Sequence, residues 1–288
     1  MTTLTPGPGA FAAPGGDLAY EVWAGTTEPV LAVHGLSAQR RLWDWLRTED
    51  PDLSLVAPDL RGRGDSVGVA GPSSVVRHAE DLVLLLDHLG LDRVHVVGMS
   101  MGGFVAVHLA VRHPERVRSL VLVDGGFPMA APDGLTRENV AAAFADRTGR
   151  LERTWTSVEE YRDYVVPATA PLLDPADPLL LDYLAHDLRE GRVRLDQDAM
   201  VADATSVFFG ETPWRDLEVP VRFLHAQWST GRDTAPAYPP DLVTDYAPRT
   251  VETVGVDGVD HAGTIMTPTG AAAVAALLRH ALQEPETR

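Results

Sequence analysis

A serine between glycines is the strongest chemical signal in this sequence of 288 residues. Residues 98–102 have the sequence GMSMG, with Ser100 at the centre and a further glycine at position 103. The motif lies between an apolar run typical of a strand and a segment with helical spacing, as a nucleophile elbow requires. In that turn the hydroxyl stands at a helix N-terminus, where the dipole favours negative charge. We therefore predict that Ser100 is a nucleophile; the alternative is a glycine-rich turn with an incidental serine.

A serine hydroxyl needs a base that removes its proton, and histidine is the usual choice. Most of the 10 histidines fall in predicted helices or strands. His261 instead lies in the glycine-rich segment 255–263, after the last predicted strand, from where it could reach over the edge of the sheet. We predict His261 as the base, against the alternative of an ordinary surface histidine. The nearby Asp257 and Asp260 lack a recognisable ligand set, so no metal site is predicted.

A second turn with glycine follows an early predicted strand, residues 30–33. Here His34 and Gly35 precede Leu36. Gly35 permits a turn whose amides point inward, so the backbone N–H groups of Leu36 and Met101 are the predicted donors of an oxyanion hole. Such donors act on charge that develops only in the transition state. We expect His34 itself to be a structural residue of the turn.

The composition excludes other covalent chemistries. The chain has no cysteine, and all 24 of its basic residues are arginine. Thiolate nucleophiles, disulfides and cysteine-ligated metals are therefore impossible. A Schiff base on lysine, a phosphate-binding loop with its lysine and a Ser–Lys pair are excluded as well. Covalent serine chemistry in this chain must use a histidine.

Charge and hydropathy restrict the partners. The net charge of −17 and the scattered arginines argue against nucleic acid. No stretch approaches the roughly 18 consecutive apolar residues of a membrane helix, so we expect no membrane partner and a soluble, cytoplasmic protein that is a monomer or a homodimer. Residues 1–16 contain neither a basic residue nor an apolar run. We predict that they form a disordered lead rather than a targeting signal.

Short runs rich in valine and leucine alternate with helical segments through the first 126 residues. This alternation predicts an α/β fold with a mostly parallel central sheet flanked by helices. The predicted strands are residues 18–23, 30–33, 53–57, 94–97 and 117–123, with later strands at 221–225 and 250–256. The predicted helices of this core are residues 73–89, 101–112 and 269–282.

The sequence changes character between residues 128 and 214. This segment lacks valine-rich strands and is predicted to be a helical cap inserted late in the chain. Its predicted helices are residues 136–148, 157–165, 178–190 and 196–208. The core then comprises residues 17–127 and 215–288. Because ligands bind at the carboxyl edge of an open α/β sheet, such a cap would cover the site.

These segments together resemble the α/β-hydrolase fold superfamily, and within it the capped group of serine esterases, lactonases and C–C hydrolases. The resemblance rests on HG at residues 34–35, DLRGRGDS at 59–66, GMSMGG at 98–103, LVLVD at 120–124 and the loop of His261. It implies that Ser100 is the nucleophile and His261 the base, with the amides of Leu36 and Met101 as oxyanion donors. A serine nucleophile differs from the aspartate of haloalkane dehalogenases and epoxide hydrolases. Residues 59–66 are implied to form a structural turn without a catalytic role.

The third member of a catalytic triad is where the chain departs from the family pattern. Most relatives carry the acid in a His-Gly-x-x-Asp turn after the strand equivalent to 221–225, but here that turn has the sequence HAQWS, with Ser229 at the acid's position. Asp124 ends the strand next to that of Ser100, and adjacent parallel strands lie about 4.8 Å apart, so its carboxylate could reach a histidine over Ser100. Asp124 is the favoured acid because its placement needs no change in loop length; the alternative is a structural aspartate, as relatives with the acid elsewhere carry there. Asp233 is the alternative if the loop is four residues longer.

The resemblance implies a serine hydrolase that cleaves a carboxylic ester, or a lactone or thioester, through an acyl-enzyme on Ser100. It implies no cofactor and no metal, and a small hydrophobic carbonyl compound as substrate. Two alternatives stay open within this sequence. One is a C–C bond hydrolase or a cofactor-free perhydrolase with the same triad, and the other is a non-catalytic relative that binds a small molecule.

Overall fold

A computed structural model describes residues 4–129, 131–132, 134–144 and 148–284. Its main element is an eight-stranded sheet with the strand order β1-β2-β4-β3-β5-β6-β9-β10. The strands are β1 (Gly7–Ala13), β2 (Gly16–Trp23), β3 (Pro29–Val33), β4 (Ser54–Pro58), β5 (Val94–Met99), β6 (Val117–Val123), β9 (Val221–Ala226) and β10 (Glu252–Val256), while β7 (Leu188–Arg189) and β8 (Arg192–Val193) form a separate hairpin.

The strands from β4 to β10 in this order pair in parallel, and β1 and β2 are antiparallel additions at one edge. Every residue of β4 and β5 is buried, as expected for strands that are covered on both faces. The predicted α/β class with a mostly parallel sheet is confirmed. Because parallel strands end at the same edge, the turns after β3, β5, β6, β9 and β10 meet there.

Helices cover both faces of the sheet. Those of the core are α1 (Asp44–Glu49), α2 (Val75–Leu89), α3 (Met101–Arg112), α8 (Pro240–Tyr246), α9 (Gly263–Met266) and α10 (Pro268–Gln283), and those between β6 and β9 are α4 (Val140–Ala143), α5 (Val158–Thr169), α6 (Pro178–Asp187) and α7 (Gln197–Phe209). Helices α2 and α3 pack together in one apolar cluster, and α1 and α10 in the other. No helix within the described ranges combines the length and apolar character that a membrane span needs.

The predicted disordered lead is wrong for its described part, residues 4–16. Strand β1 pairs with β2 along its whole length, from Gly7 opposite Val22 to Ala13 opposite Gly16. Phe11 is 3% exposed and gives the strand an apolar anchor in the core. The proline and glycine content of this segment led to the prediction of disorder. These residues are tolerated in β1 because the strand lies at the edge of the sheet. Residues 1–3 lie outside the described residues.

We call residues 128–214, which lie between β6 and β9, the cap; its described residues include the helices α4 to α7. Two predicted helices differ from the structure. Within predicted helix 136–148, the structure has helix at Val140–Ala143 and again at Thr148, and residues 145–147 lie outside the described residues. Predicted helix 178–190 ends at Asp187 because the chain turns into the β7–β8 hairpin, where Glu190 and Gly191 have positive φ values of 52° and 72°.

Candidate active site

Ser100 occupies the sharp turn between β5 and α3. Its backbone is strained, with φ 55° and ψ −123°, and its N–H donates to the Val123 carbonyl at 2.9 Å. A Cβ at Gly98 would lie 2.3 Å from the Gly102 carbonyl oxygen, and one at Gly102 would lie 2.0 Å from that of Val33. The glycines on both sides of the serine are therefore required by close backbone approach. Ser100 is half-buried and lines a pocket at this edge of the sheet.

His261 and Asp124 meet at the same edge. Asp124 directly follows β6 and is 1% exposed, whereas the His261 side chain is 25% exposed. The distance between His261 Nδ1 and Asp124 Oδ2 is 2.5 Å. The Ala226 N–H donates to the other carboxylate oxygen, Oδ1, at 3.1 Å. This arrangement places the Nδ1 proton of His261 against the carboxylate and leaves Nε2 for a second partner.

Asp233, the alternative acid, lies elsewhere. It is exposed in the turn after β9, where its φ is 63°. The loop reaches His261 through its backbone instead, since the His261 N–H donates to the Ser229 carbonyl at 3.0 Å. The structure thus brings Asp124 to His261, and the Asp233 carboxylate has no contact with His261 among the contacts of the described residues.

The pocket beside Ser100 has a volume of about 110 Å³ and opens between the core and the cap. His261, Ser100 and Leu36 line it together with Arg150 and Tyr183. The rest of its wall is largely aliphatic, from core and cap: Leu42, Val165, Val166, Ala170, Leu173, Leu180, Leu184 and Met266. The reactive side chains therefore face a small, mainly apolar space.

The turn after β3, residues 35–37, is the second side of the site; we call it the oxyanion loop. The N–H groups of Leu36 and Met101 have no protein acceptor among the described residues, which for Met101 follows from its place as the first residue of α3. Leu36 lines the pocket, whereas Met101, the residue after Ser100, is not part of its wall. That Leu36 and Met101 act as oxyanion donors stays a prediction.

His34 has the structural role that the sequence predicts. The residue is fully buried, and its Nδ1 lies 2.8 Å from the Gly35 carbonyl oxygen. The Leu60 N–H donates to Nε2 at 3.0 Å, so the proton must be on Nδ1. Burial lowers the pKa of His34 to about 3, and the neutral ring therefore holds the oxyanion loop at neutral pH.

Two arginines at the site have no counterpart in the sequence prediction. Arg63 Nε donates to the Leu36 carbonyl at 3.0 Å, and Arg150 Nη2 donates to the Ser37 carbonyl at 3.1 Å. Arg63 belongs to the segment 59–66, for which the sequence predicts a structural turn without a catalytic role. Arg150 lies in the cap, where the sequence has no motif.

A group of possible metal ligands, Asp59, Asp65 and His186, occurs away from the pocket. Arg40 forms ion pairs with Asp59 and Asp65, and Arg194 forms a further ion pair with Asp65. Burial, together with the nearby arginines, lowers the pKa of His186 to about 3. The positive charges of the guanidinium groups already balance the carboxylates, so this group is an ion-pair network that ties the core to the cap.

Comparison with known proteins finds a family model and several relatives that this chain is similar to. Residues 28–163 match the family model described as the alpha/beta hydrolase fold. Lipase LipV of Mycobacterium tuberculosis is 35% identical over 145 residues, which cover 50% of this chain and 54% of that protein. The chain thus spans about half the length of this curated relative.

Solved structures are similar over almost the whole chain. E-2-(acetamidomethylene)succinate hydrolase superposes with a TM-score of 0.75 at 19% identity, covering 91% of this chain and 94% of the other. The enol-lactonase from Burkholderia xenovorans LB400 gives a TM-score of 0.73 at 20% identity, covering 96% and 100%. At this level of identity the likeness shows a shared fold.

Proposed function

Because this chain is an α/β-hydrolase-fold protein, we propose that it is a serine hydrolase that cleaves a carboxylic ester, with lactones and thioesters as close variants. In this proposal Ser100 is the nucleophile, His261 the base and Asp124 the acid. The observation that carries it is the 2.5 Å contact between His261 Nδ1 and Asp124 Oδ2, with His261 and Ser100 on the wall of one pocket.

The proposed reaction has two steps. In the first, His261 Nε2 takes the Ser100 hydroxyl proton as the oxygen attacks the substrate carbonyl, and the N–H groups of Leu36 and Met101 stabilise the oxyanion. The ester bond then breaks, and the leaving alkoxide takes the proton from His261. In the second step, a water molecule loses a proton to His261 and attacks the acyl group. Ser100 leaves with that proton, and the products are a carboxylic acid and an alcohol.

Asp124 supports this reaction without taking the proton. Its carboxylate accepts a hydrogen bond from His261 Nδ1, which fixes the ring and leaves Nε2 free to take the serine proton. It also stabilises the imidazolium that forms in each step. The second bond, from the Ala226 N–H to Oδ1, fixes the carboxylate so that Oδ2 stays directed at the histidine.

The pocket favours a short, neutral acyl group. Its wall is mainly aliphatic, and its volume of about 110 Å³ is below that of a cavity that holds benzene, about 150 Å³. The positive charge of Arg150 is already engaged, because its Nη1 donates to the Tyr161 hydroxyl at 2.9 Å and lies 3.7 Å from Asp187 Oδ2. We therefore propose esters of small aliphatic acids as the substrates.

Two measurements test the proposal. A fluorophosphonate should label Ser100 in the purified protein, and His261→Ala should abolish the labelling while the fold is retained. A series of p-nitrophenyl esters from acetate to laurate should give the highest kcat/KM at the short end. An unlabelled wild-type protein without hydrolysis of any ester would point to a non-catalytic binding protein, and a maximum at laurate would contradict the short acyl pocket.

A further inference from the structure

Three successive carbonyls of the oxyanion loop each accept a hydrogen bond from a buried side chain. His34 Nδ1 binds the carbonyl of residue 35 at 2.8 Å, Arg63 Nε that of residue 36 at 3.0 Å, and Arg150 Nη2 that of residue 37 at 3.1 Å. The three donors are 0%, 1% and 6% exposed in turn, the last two by side chain. Burial of two guanidinium groups against one short turn calls for a reason beyond filling space, because buried charges are costly.

The orientation of one peptide group links these bonds to the proposed chemistry. The Gly35 carbonyl and the Leu36 N–H belong to the same peptide, and in a trans peptide they point in opposite directions. The bond from His34 to that carbonyl therefore fixes the direction of the Leu36 N–H. Arg63 holds the carbonyl of the following peptide, so both peptides around Leu36 are restrained.

Arg63 connects this loop to the cap. Its Nη1 lies 2.5 Å from Asp203 Oδ2, and Asp203 belongs to α7 of the cap and is fully buried. Burial would raise the pKa of Asp203, but the adjacent His78 and Arg63 lower it to about 2, so the carboxylate is charged. The Asp203 carboxylate also accepts a hydrogen bond from Ser73 at 2.8 Å. The guanidinium is thus held by the cap, by the oxyanion loop and by its own segment, where Nη1 donates to the Arg61 backbone carbonyl at 2.7 Å.

Arg150 makes the second connection. It belongs to the cap, and its Nη1 donates to the Tyr161 hydroxyl, which in turn donates to Asp187 Oδ2 at 3.0 Å. The Trp155 indole N–H donates to the Arg150 carbonyl at 3.1 Å. Other cap residues therefore fix both the side chain and the backbone of Arg150, independently of the bond from its Nη2 to the Ser37 carbonyl.

We propose that Arg63 and Arg150 are positioning residues, through which the cap holds the Leu36 N–H in place as an oxyanion donor. The cap then does more than enclose the substrate, because it sets the geometry of the group that stabilises the transition state. This inference rests on the proposed function. It assigns to the cap an effect on kcat that is separate from substrate fit.

The test compares Arg63→Lys with Arg61→Lys. Both arginines are buried in the segment 59–66 and paired with a buried aspartate, but Arg61 binds Asp81 and the Ala70 carbonyl and does not contact the oxyanion loop. Arg63 does not line the pocket. We expect Arg63→Lys to lower kcat roughly 10- to 100-fold with little change in KM. Arg61→Lys should reduce Tm but leave kcat unchanged.

Two further measurements separate positioning from folding. The affinity for a trifluoromethyl ketone, whose adduct places an oxyanion in the hole, should fall in parallel with kcat for Arg63→Lys. Amide hydrogen exchange of the peptide that contains residues 35–38 should become faster in the same variant. The ketone affinity and this exchange should be unchanged in Arg61→Lys. Arg150→Lys should also lower kcat and the ketone affinity, but because Arg150 lines the pocket we expect its KM to change as well. The exposed cap residue Arg153, changed to lysine, is its control.

The outcomes distinguish this inference from the proposed function. A wild-type protein that hydrolyses no ester and takes no label overturns the proposed function and the inference with it. An active wild type in which Arg63→Lys retains its kcat and ketone affinity overturns the inference alone. Equal losses of kcat in Arg63→Lys and Arg61→Lys also overturn it, because the effect would then be one of general stability.

Discussion

The parallel strands and the cap contribute different kinds of groups to one pocket. The core supplies the side chains with chemical reactivity, Ser100, Asp124 and His261, each at the end of a strand or in the turn that follows it. The cap supplies aliphatic residues and arginine contacts, and none of its residues belongs to the proposed triad. The difference teaches that strand ends bring the proposed triad together, whereas the cap acts through side chains, which form part of the pocket wall and hold the turn after β3.

The largest effect should come from the core. Asp124→Asn should lower kcat by about 10⁴-fold, because the amide cannot hold His261 in the required tautomer. Asp233→Asn should leave kcat unchanged. The two positions are well matched, since both have positive φ, 45° and 63°, a conformation that asparagine tolerates. Steady-state kinetics on one p-nitrophenyl ester decides the matter, and a loss confined to Asp233→Asn would assign the acid to the loop after β9.

The second prediction concerns how the free energy of unfolding depends on pH through one histidine of the core and one of the cap. Burial lowers the pKa of both His34 and His186 to about 3. The unfolded chain binds these protons near pH 6.5, and the folded chain does so only near pH 3, so stability falls as the pH decreases between the two values. For the fully buried His34 the cost is about 2 kcal/mol at pH 5 relative to pH 8.

Urea unfolding at pH 8 and pH 5 measures this dependence. His34→Gln should reduce the loss of unfolding free energy between the two pH values, and His186→Gln should reduce it in the same direction but by less, because His186 is less completely buried. If His34→Gln loses as much unfolding free energy between pH 8 and pH 5 as the wild type, the pKa of His34 is not lowered in the folded protein.

The smallest effect should come from the cap. Val166→Ala enlarges the pocket, and we expect it to shift the preference from acetate toward longer acyl esters by about 10-fold in relative kcat/KM. Val158→Ala removes the same atoms from the same helix, α5, at a position that does not line the pocket. If both variants show the same preference as the wild type, the acyl group does not occupy the space between the core and the cap.

Core and cap also differ in how much the sequence could predict. The valine-rich strands and the GMSMG turn are local patterns, and because parallel strands share one edge, the proximity of Asp124 to the Ser100 turn follows from strand order. The cap lacks such a rule, since no shared sheet edge fixes where its helices lie relative to one another. Arg63 and Arg150 could not be assigned, because their partners are backbone carbonyls, which have no signature in sequence. The sequence also missed β1, because this segment has low strand propensity. Its backbone pairing with β2, which has no signature in sequence, forms the strand instead.

The ion pair between Arg63 and Asp203 has a consequence for the exchange of modules between related proteins. Insertions at one edge of a sheet are easily regarded as interchangeable parts, which can be replaced to obtain a new specificity. Here Arg63 stays with the core after such a replacement, and its side chain is 1% exposed. A chimera therefore needs an acidic residue that takes the place of Asp203, or else it retains an unpaired buried cation, which typically costs about 3–5 kcal/mol.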